Sequence, residues 1–180
     1  MNTWKTGLFS LTVASLALVA TAKAPQDKDI VDTAIAKGQF TTLVSWLGQA
    51  QMTESLKGPG PYTIFAANDE AFNKLSEEER NRITSDPELL KRTLNYHIVS
   101  GKLMAADLSG REKVETWVKD REKVQELKIR TDENGVVWVN GSKVVMSDIA
   151  ASNGVIHVLD TALTPPAAET GVGVGTTGGG

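Results

Sequence analysis

The chain has 180 residues, 41% of them hydrophobic and 23% charged, so it can supply the core of one globular domain and is not disordered throughout. Its formal net charge of −3, with basic residues mixed among acidic ones, is not the clustered basic surface of a nucleic-acid-binding protein. The lack of cysteine excludes disulfides, thiolate metal sites and cysteine nucleophiles.

Residues 1–22 have the features of a secretory signal peptide. Lys5 supplies a positive charge, an uncharged apolar segment follows at 7–20, and Ala20-Thr21-Ala22 provides the small residues of a cleavage site. The apolar segment has about 14 residues, fewer than the roughly 20 that a membrane-spanning helix needs. We therefore expect cleavage after Ala22, a secreted or periplasmic location and no transmembrane segment. An amphipathic helix of the folded domain is the alternative interpretation.

The first half of the mature chain is predicted to be mainly helical, with one short buried strand. Apolar residues at helical spacing predict helices at 27–38 and 41–50, and the strand is predicted at 62–66 after a Gly-Pro loop at 58–61. Three further helix starts are indicated by Asn68 as a cap, by Ser76 with Glu79 as a capping box, and by Asp86-Pro87.

The second half is predicted to consist of strands. Apolar and charged residues alternate from Gln125 to Arg130, and Asn134-Gly135 is typical of a hairpin turn. Further strands are predicted at 136–139, 144–146 and 155–159. Helices first and strands later indicate an α+β fold. The Gly/Thr-rich segment 167–180 is predicted to be a flexible tail.

Three segments, in this order along the chain, resemble the fasciclin family. Residues 63–72 (TIFAANDEAF) resemble its first conserved box, 95–99 (NYHIV) its Tyr-His segment, and 152–160 (SNGVIHVLD) its second box. Smaller matches at 101–103, 106–108 and 139–141 fall at the spacing of the family pattern. The resemblance covers residues 27–166. Ala67 and Asn68 depart from it, because the family usually has proline and threonine there.

The resemblance implies a fold and a class of function. The implied fold is a wedge or sandwich of β-strands flanked by several short helices, with the two boxes as its structural centre. We expect Phe65 and Ile156 to share one core. The implied function is that of an exported, non-enzymatic module for cell adhesion or protein interaction, with a protein, matrix or cell-surface component as its partner and no cofactor.

The resemblance also implies two candidate partner-binding places. Asp148-Ile149 occupies the position of an acidic-aliphatic pair linked to integrin contact in animal matrix members, and Tyr96-His97 lies in the Tyr-His segment. Asp148 is expected on a loop, with Ile149 as an apolar anchor beside it. The competing interpretation is that Asp148 only caps a turn, that Ile149 points inward and that Tyr96 belongs to the core.

Enzymatic alternatives have little support in the sequence. It contains two histidines, His97 and His157, and neither a G-x-S-x-G nor an H-E-x-x-H motif. A hydrolase with a Ser-His-Asp triad stays open, since the members of a triad converge in space rather than in sequence. We expect both histidines to be hydrogen-bonded structural residues and expect no metal.

Two further possibilities remain open at this stage. The strand-rich half could enclose a small apolar ligand such as a pigment, with Trp46, Trp117 and Trp138 as its walls or simply as core residues. Asn140-Gly141-Ser142 has the pattern of a glycosylation acceptor, which is used only if the host glycosylates exported proteins; otherwise it is a turn.

Overall fold

The computed structural model of the protein describes residues 28–120 and 123–166; the predicted signal peptide, 1–22, and the predicted tail, 167–180, lie outside the described residues. Within the described residues the helices are α1 Ile30–Lys37, α2 Thr41–Gln49, α3 Thr53–Lys57, α4 Asp69–Asn73, α5 Glu77–Ser85, α6 Pro87–Tyr96 and α7 Ala105–Ser109. The strands are β1 Tyr62–Ala67, β2 Ile98–Ser100, β3 Lys113–Asp120, β4 Lys123–Thr131, β5 Val137–Val139, β6 Ser142–Ala151 and β7 Gly154–Leu159.

The helix starts read from the sequence are confirmed by their capping hydrogen bonds. The Asn68 side chain accepts from the Ala71 N–H at 2.8 Å, and the Ser76 hydroxyl accepts from the Glu79 N–H at 3.1 Å. Asp86 accepts from two N–H groups of α6, whose first residue is Pro87. These side chains satisfy backbone donors that have no partner within the helix.

The seven strands form a closed ring in chain order. Most helices precede most strands along the chain, so the fold belongs to the α+β class. Successive strands are antiparallel, and the ring closes where β7 lies parallel to β1, from Tyr62 opposite Gly154 to Ala67 opposite Leu159. The strands that belong to the two boxes, β1 and β7, are therefore neighbours, although they are far apart along the chain.

The β1–β7 pair is covered on both faces. Every residue of β7 is buried, and every residue of β1 after Tyr62. Ile64 and Ile156 face a cluster formed with the helices, which we call the helical core. Phe65 faces a second cluster inside the strand ring, which we call the ring core. The expectation that Phe65 and Ile156 share one core is wrong: both are buried, but on opposite sides of the same strand pair.

Asn153 joins the helices to the strand ring at the point where β7 begins. Its side-chain oxygen accepts from the Ile30 N–H of α1 at 2.8 Å, and its amide nitrogen donates to the carbonyls of Leu56 and Gly58 at 2.7 and 2.9 Å. Its own carbonyl accepts from the Tyr62 N–H at 3.0 Å. The next residue, Gly154, lies so close to β1 that an added Cβ would collide with the Tyr62 carbonyl oxygen. The predicted turn at Asn153-Gly154 is thus also a junction of four elements.

Four elements were not predicted from the sequence: the helices α3 and α7 and the strands β2 and β3. The helices α3 and α7 have five residues each. No side chain caps the start of α3, and the N–H groups of Met104 and Ala105 at the start of α7 donate to the side chains of Asp107 and Asp148. The segment that contains β3 is rich in charged residues. Its strand buries Val114, Thr116 and Val118 while the charged neighbours stay exposed, so the alternation of a half-buried strand was present but hidden by its high charge.

Candidate functional site

The strand β6 is distorted where it passes the middle of β7. Val144 lies opposite Leu159 and Ile149 lies opposite Ile156, so five residue steps on β6 match three steps on β7. The two extra residues are accommodated by register shifts on either side of Met146. β-Bulges of this kind bend a strand and redirect its side chains, and they are common next to functional sites.

The distortion brings four consecutive residues to the surface, and we call Val145, Met146, Ser147 and Asp148 the β6 bulge surface. Among the described residues three large hydrophobic side chains are exposed, and two of them are here: Val145 at 51% and Met146 at 46%. The strand β5 pairs with β6 only at Ser142 and Lys143, so the outer edge of β6 continues past the end of β5. An apolar pair beside an acidic residue at a strand edge has the composition of a contact patch with a polar rim.

Asp148 lies within β6 and not on a loop, so that expectation is wrong. Its backbone has φ = +59°, a left-handed conformation that aspartate and asparagine adopt more readily than most residues. Its carboxylate accepts from the N–H of Ala105, the first residue of α7, at 2.8 Å. Asp148 therefore does cap a backbone donor, but on a helix that is distant in sequence, and its side chain remains exposed.

Ile149 is half-buried. It lies opposite Ile156 and packs against the helical core, so a large part of its side chain is already used in the interior. The two exposed apolar residues of the site, Val145 and Met146, were missed by sequence reasoning. Their signal was the uninterrupted apolar run Val144-Val145-Met146, which a regular half-buried strand does not contain because its faces alternate.

His157 lies directly beneath Asp148. Its Nε2 is 2.7 Å from the carbonyl oxygen of Leu103, and its Nδ1 is 3.4 Å from the backbone nitrogen of Asp148. The ring stacks on Phe65 with 5.6 Å between the ring centres. Burial lowers the pKa of His157, while its hydrogen bond to Leu103 and the nearby Asp148 carboxylate oppose that shift.

Tyr96 and His97, the other candidate pair, lie in the interior with 4% and 2% of their surface exposed. The Tyr96 hydroxyl accepts from the Asn140 amide at 2.8 Å, and burial raises the pKa of Tyr96. His97 lies 2.8 Å from the Thr93 carbonyl through Nδ1 and accepts from the Leu163 N–H at 3.1 Å through Nε2. Burial lowers the pKa of His97 to about 4. A direct partner contact through this pair stays a prediction that its burial disfavours.

Both histidines are thus engaged with backbone groups, as expected for structural residues. Across 28–120 and 123–166, no group of three or more His, Asp or Glu residues is arranged to hold a metal ion. In the same part of the chain, none of the helices combines the length and apolar character required to cross a membrane.

Trp138 lines a surface groove, whereas Trp46 lies in the interior. A groove of about 1170 Å³ runs along β4, and its walls include Glu126, Lys128 and Arg130 beside Trp138. Trp46 is not in this wall, because it packs in the helical core edge-on against Phe72. The same groove is also lined by Val124, Ile129 and Leu163, so its walls are partly charged and partly apolar.

The side chain of Asn140 makes two hydrogen bonds. Its amide nitrogen donates to Tyr96, and its amide oxygen accepts from the Lys128 N–H at 2.8 Å. Its backbone has φ = +49°, as the predicted turn requires. A sugar on that nitrogen would replace one of its two hydrogens, so the hydrogen bond to Tyr96 would depend on the hydrogen that remains.

Known proteins resemble this chain in sequence and in fold. A family model for the Fasciclin domain matches residues 38–165. The protein sll1735 of Synechocystis sp. (strain ATCC 27184 / PCC 6803 / Kazusa) is 34% identical over 135 residues, which cover 75% of this chain and 96% of that protein. The transforming growth factor-beta-induced protein ig-h3 of Sus scrofa is 32% identical over 138 residues, covering 77% of this chain and 19% of that protein.

A solved structure shares the fold at low sequence identity. It is a domain pair from the insect cell adhesion molecule Fasciclin I, with a TM-score of 0.61 and 17% identity, covering 77% of this chain and 51% of the insect chain. The present chain thus corresponds to nearly the whole of sll1735, but to about a fifth of ig-h3 and half of the insect pair.

Proposed function

Because the chain belongs to the fasciclin family, we propose that it is an exported, non-enzymatic module of adhesion or protein interaction that binds a protein or matrix component through the β6 bulge surface. The observation that carries this proposal is the exposure of Val145 and Met146 beside Asp148, on a strand fixed to the buried β7. The solved structure with the same fold is part of a cell adhesion molecule, which supports this class of function.

The proposed contact uses each residue of the site differently. Met146 and Val145 supply the apolar anchor, and Asp148 supplies a charge at the rim. The exposed part of the Ile149 side chain adds to the contact, and its buried part packs against the helical core and so anchors the β6 bulge surface. Tyr96 and His97 lie below the surface and support the fold around the ring core rather than the contact itself.

Export is the first part of the proposal to test. Removal of residues 1–22 predicts that the native protein begins at Lys23. Mass spectrometry of protein isolated from the host's exported fraction should show this N-terminus. Intact Met1 on the bulk of the protein, recovered from the cytoplasm, would overturn the export prediction and leave the contact surface to be tested separately.

The contact surface is tested by substituting an exposed residue that the fold does not need. Met146→Ser removes the apolar anchor, and Ile35→Ser is the matched control because Ile35 is 54% exposed on α1. Mature protein is applied to immobilised surface extract of the host, and its retention is measured against concentration. We expect Met146→Ser to weaken retention at least tenfold, which corresponds to about 1.4 kcal/mol and is ordinary for a buried interface anchor.

The double substitution Asp148→Ala with Ile149→Ala tests the two residues implied by the family resemblance. We expect it to abolish retention, with a lower thermal stability because Ile149 packs on the helical core. Equal retention of the wild type, Met146→Ser and the double variant, all folded, would refute the β6 bulge surface as the contact.

A further inference from the structure

We propose that His157 is the positioning residue of the β6 bulge surface. Its neutral ring holds Asp148 in the left-handed conformation that directs the Asp148 carboxylate to α7. Protonation of the ring releases the Asp148 backbone from this conformation and the carboxylate from α7. The positioning involves only contacts within this chain and needs no partner. Its consequence for binding rests on the proposed function.

The hydrogen bonds fix the form of the His157 ring. A carbonyl oxygen can only accept, so the 2.7 Å contact with Leu103 requires a proton on Nε2. In the neutral ring Nδ1 then carries the lone pair, and the backbone N–H of Asp148 points to it at 3.4 Å. The neutral ring therefore bridges the loop before α7 and the distorted part of β6.

The same two elements are joined a second time by Asp148 itself. Its carboxylate accepts from Ala105, two residues after Leu103, at 2.8 Å. Ring, backbone and carboxylate thus form a closed set of contacts in which Asp148 is held from both ends. This arrangement accounts for a non-glycine residue at φ = +59° in a strand, where extended conformations are the rule.

Protonation of the ring breaks this arrangement at a defined atom. A proton on Nδ1 would place one donor against another, since the Asp148 N–H cannot accept. Phe65 and the Leu103 carbonyl face the ring from the other sides, and the Asp148 carboxylate is the charge that acts on it. Because burial lowers the pKa of His157, the bridge is complete at neutral pH and opens only as the pH falls below the usual range of histidine.

Opening of the bridge changes the surface that a partner meets. Without the hydrogen bond to its N–H, Asp148 can return to an extended conformation, and its carboxylate then leaves Ala105. Ser147 and Met146 precede it on the same bulge and turn with it. The β6 bulge surface therefore has the binding geometry at neutral pH and loses it in acid.

The test is nuclear magnetic resonance of the full mature protein, which needs no partner. We measure the His157 ring nitrogens and the amide exchange of Asp148 and Ala105 as the pH is lowered. The control amide is Ala71, whose N–H is capped by the Asn68 side chain without any histidine. We expect a ring protonated on Nε2 at neutral pH, and loss of protection at Asp148 and Ala105 at the midpoint of His157 titration, while Ala71 stays protected.

Two variants separate positioning from simple packing. His157→Asn keeps an acceptor near the place of Nδ1 but cannot titrate, so Ala105 should stay protected through the acid range where the wild type loses it. His157→Leu keeps apolar volume without an acceptor, so Ala105 should be unprotected at every pH while Ala71 remains protected. Ala105 protection that is unchanged in His157→Leu, or that is insensitive to His157 titration in the wild type, would overturn the proposal.

The binding consequence is measured separately. If retention on surface extract falls at the same midpoint as Ala105 protection in the wild type, and not in His157→Asn, the bridge controls the contact. If Ala105 follows His157 but retention of the wild type does not change with pH, the positioning stands and the proposed contact surface fails.

Discussion

Replacing Asn153 by alanine would remove three side-chain hydrogen bonds that tie the helices to the strand ring. One of these bonds reaches the first residue of α1. The other two reach the carbonyls of Leu56, near the end of α3, and of Gly58, just beyond it. All three start from the turn that precedes β7. A hydrogen bond inside a protein contributes a net of about 1 kcal/mol, and a buried donor or acceptor left without a partner costs more. We therefore expect Asn153→Ala to lower the free energy of unfolding by about 3 kcal/mol.

The assay is urea unfolding of a chain that begins at Lys23, followed by the fluorescence of its tryptophans. Asn153→Asp is the more specific variant, because it keeps the acceptor for Ile30 but sets a carboxylate oxygen against the Leu56 and Gly58 carbonyls. We expect it to be at least as unstable as Asn153→Ala at neutral pH. Ser152→Ala is the control, since Ser152 is exposed, and should stay within about 0.5 kcal/mol of the wild type. A loss below about 0.5 kcal/mol in Asn153→Ala would refute the role of Asn153 as a junction.

Three further stability predictions follow from the packing and the charges. Ile156→Ala should cost about 2–5 kcal/mol in urea unfolding, because Ile156 is fully buried in the helical core, and a cost below about 0.5 kcal/mol would mean that the strand face is wrongly assigned. Gly154→Ala should yield little folded protein in a solubility assay, whereas Gly110→Ala should be near neutral because its added Cβ meets open space. Burial lowers the pKa of His97 from its ordinary 6.5 to about 4 in the folded protein. Its contribution to the free energy of unfolding is therefore present in full above pH 6.5 and is lost as the pH falls toward 4, by about 3 kcal/mol in total. In His97→Gln the free energy of unfolding should depend less on pH between 6.5 and 4, as measured by unfolding at a series of pH values.

Local features of the fold could be predicted from the sequence because their causes are local. The caps at Asn68, Ser76 and Asp86 act on donors within the next three residues, so their sequence patterns suffice. The hairpin at Asn134-Gly135 is of the same kind, and its Gly135 has φ = +77°. The family resemblance added the overall class, with the two boxes as the structural centre of the fold.

Features that depend on which strand pairs with which could not be predicted. The apolar runs 64–66 and 155–159 show burial on both faces, but the separation of Phe65 from Ile156 becomes visible only when β1 and β7 are placed side by side. The bulges of β6 exist only relative to β7, so Asp148 looked like a loop residue. The hydrogen bond between the Asp148 carboxylate and the Ala105 N–H joins residues 43 positions apart, and no pattern in the intervening sequence predicts it.

The parallel pairing of β1 with β7 also determines when this chain can fold. Tyr62 meets Gly154 across roughly ninety residues, and contacts of such long sequence separation slow folding because a large loop must close before they form. In a chain emerging from the ribosome one edge of β1 can pair with β2, but its other edge has no partner until the last strand has been made. A product that contains β6 but stops before Gly154 has two open strand edges, on β1 and β6, with which other chains can pair.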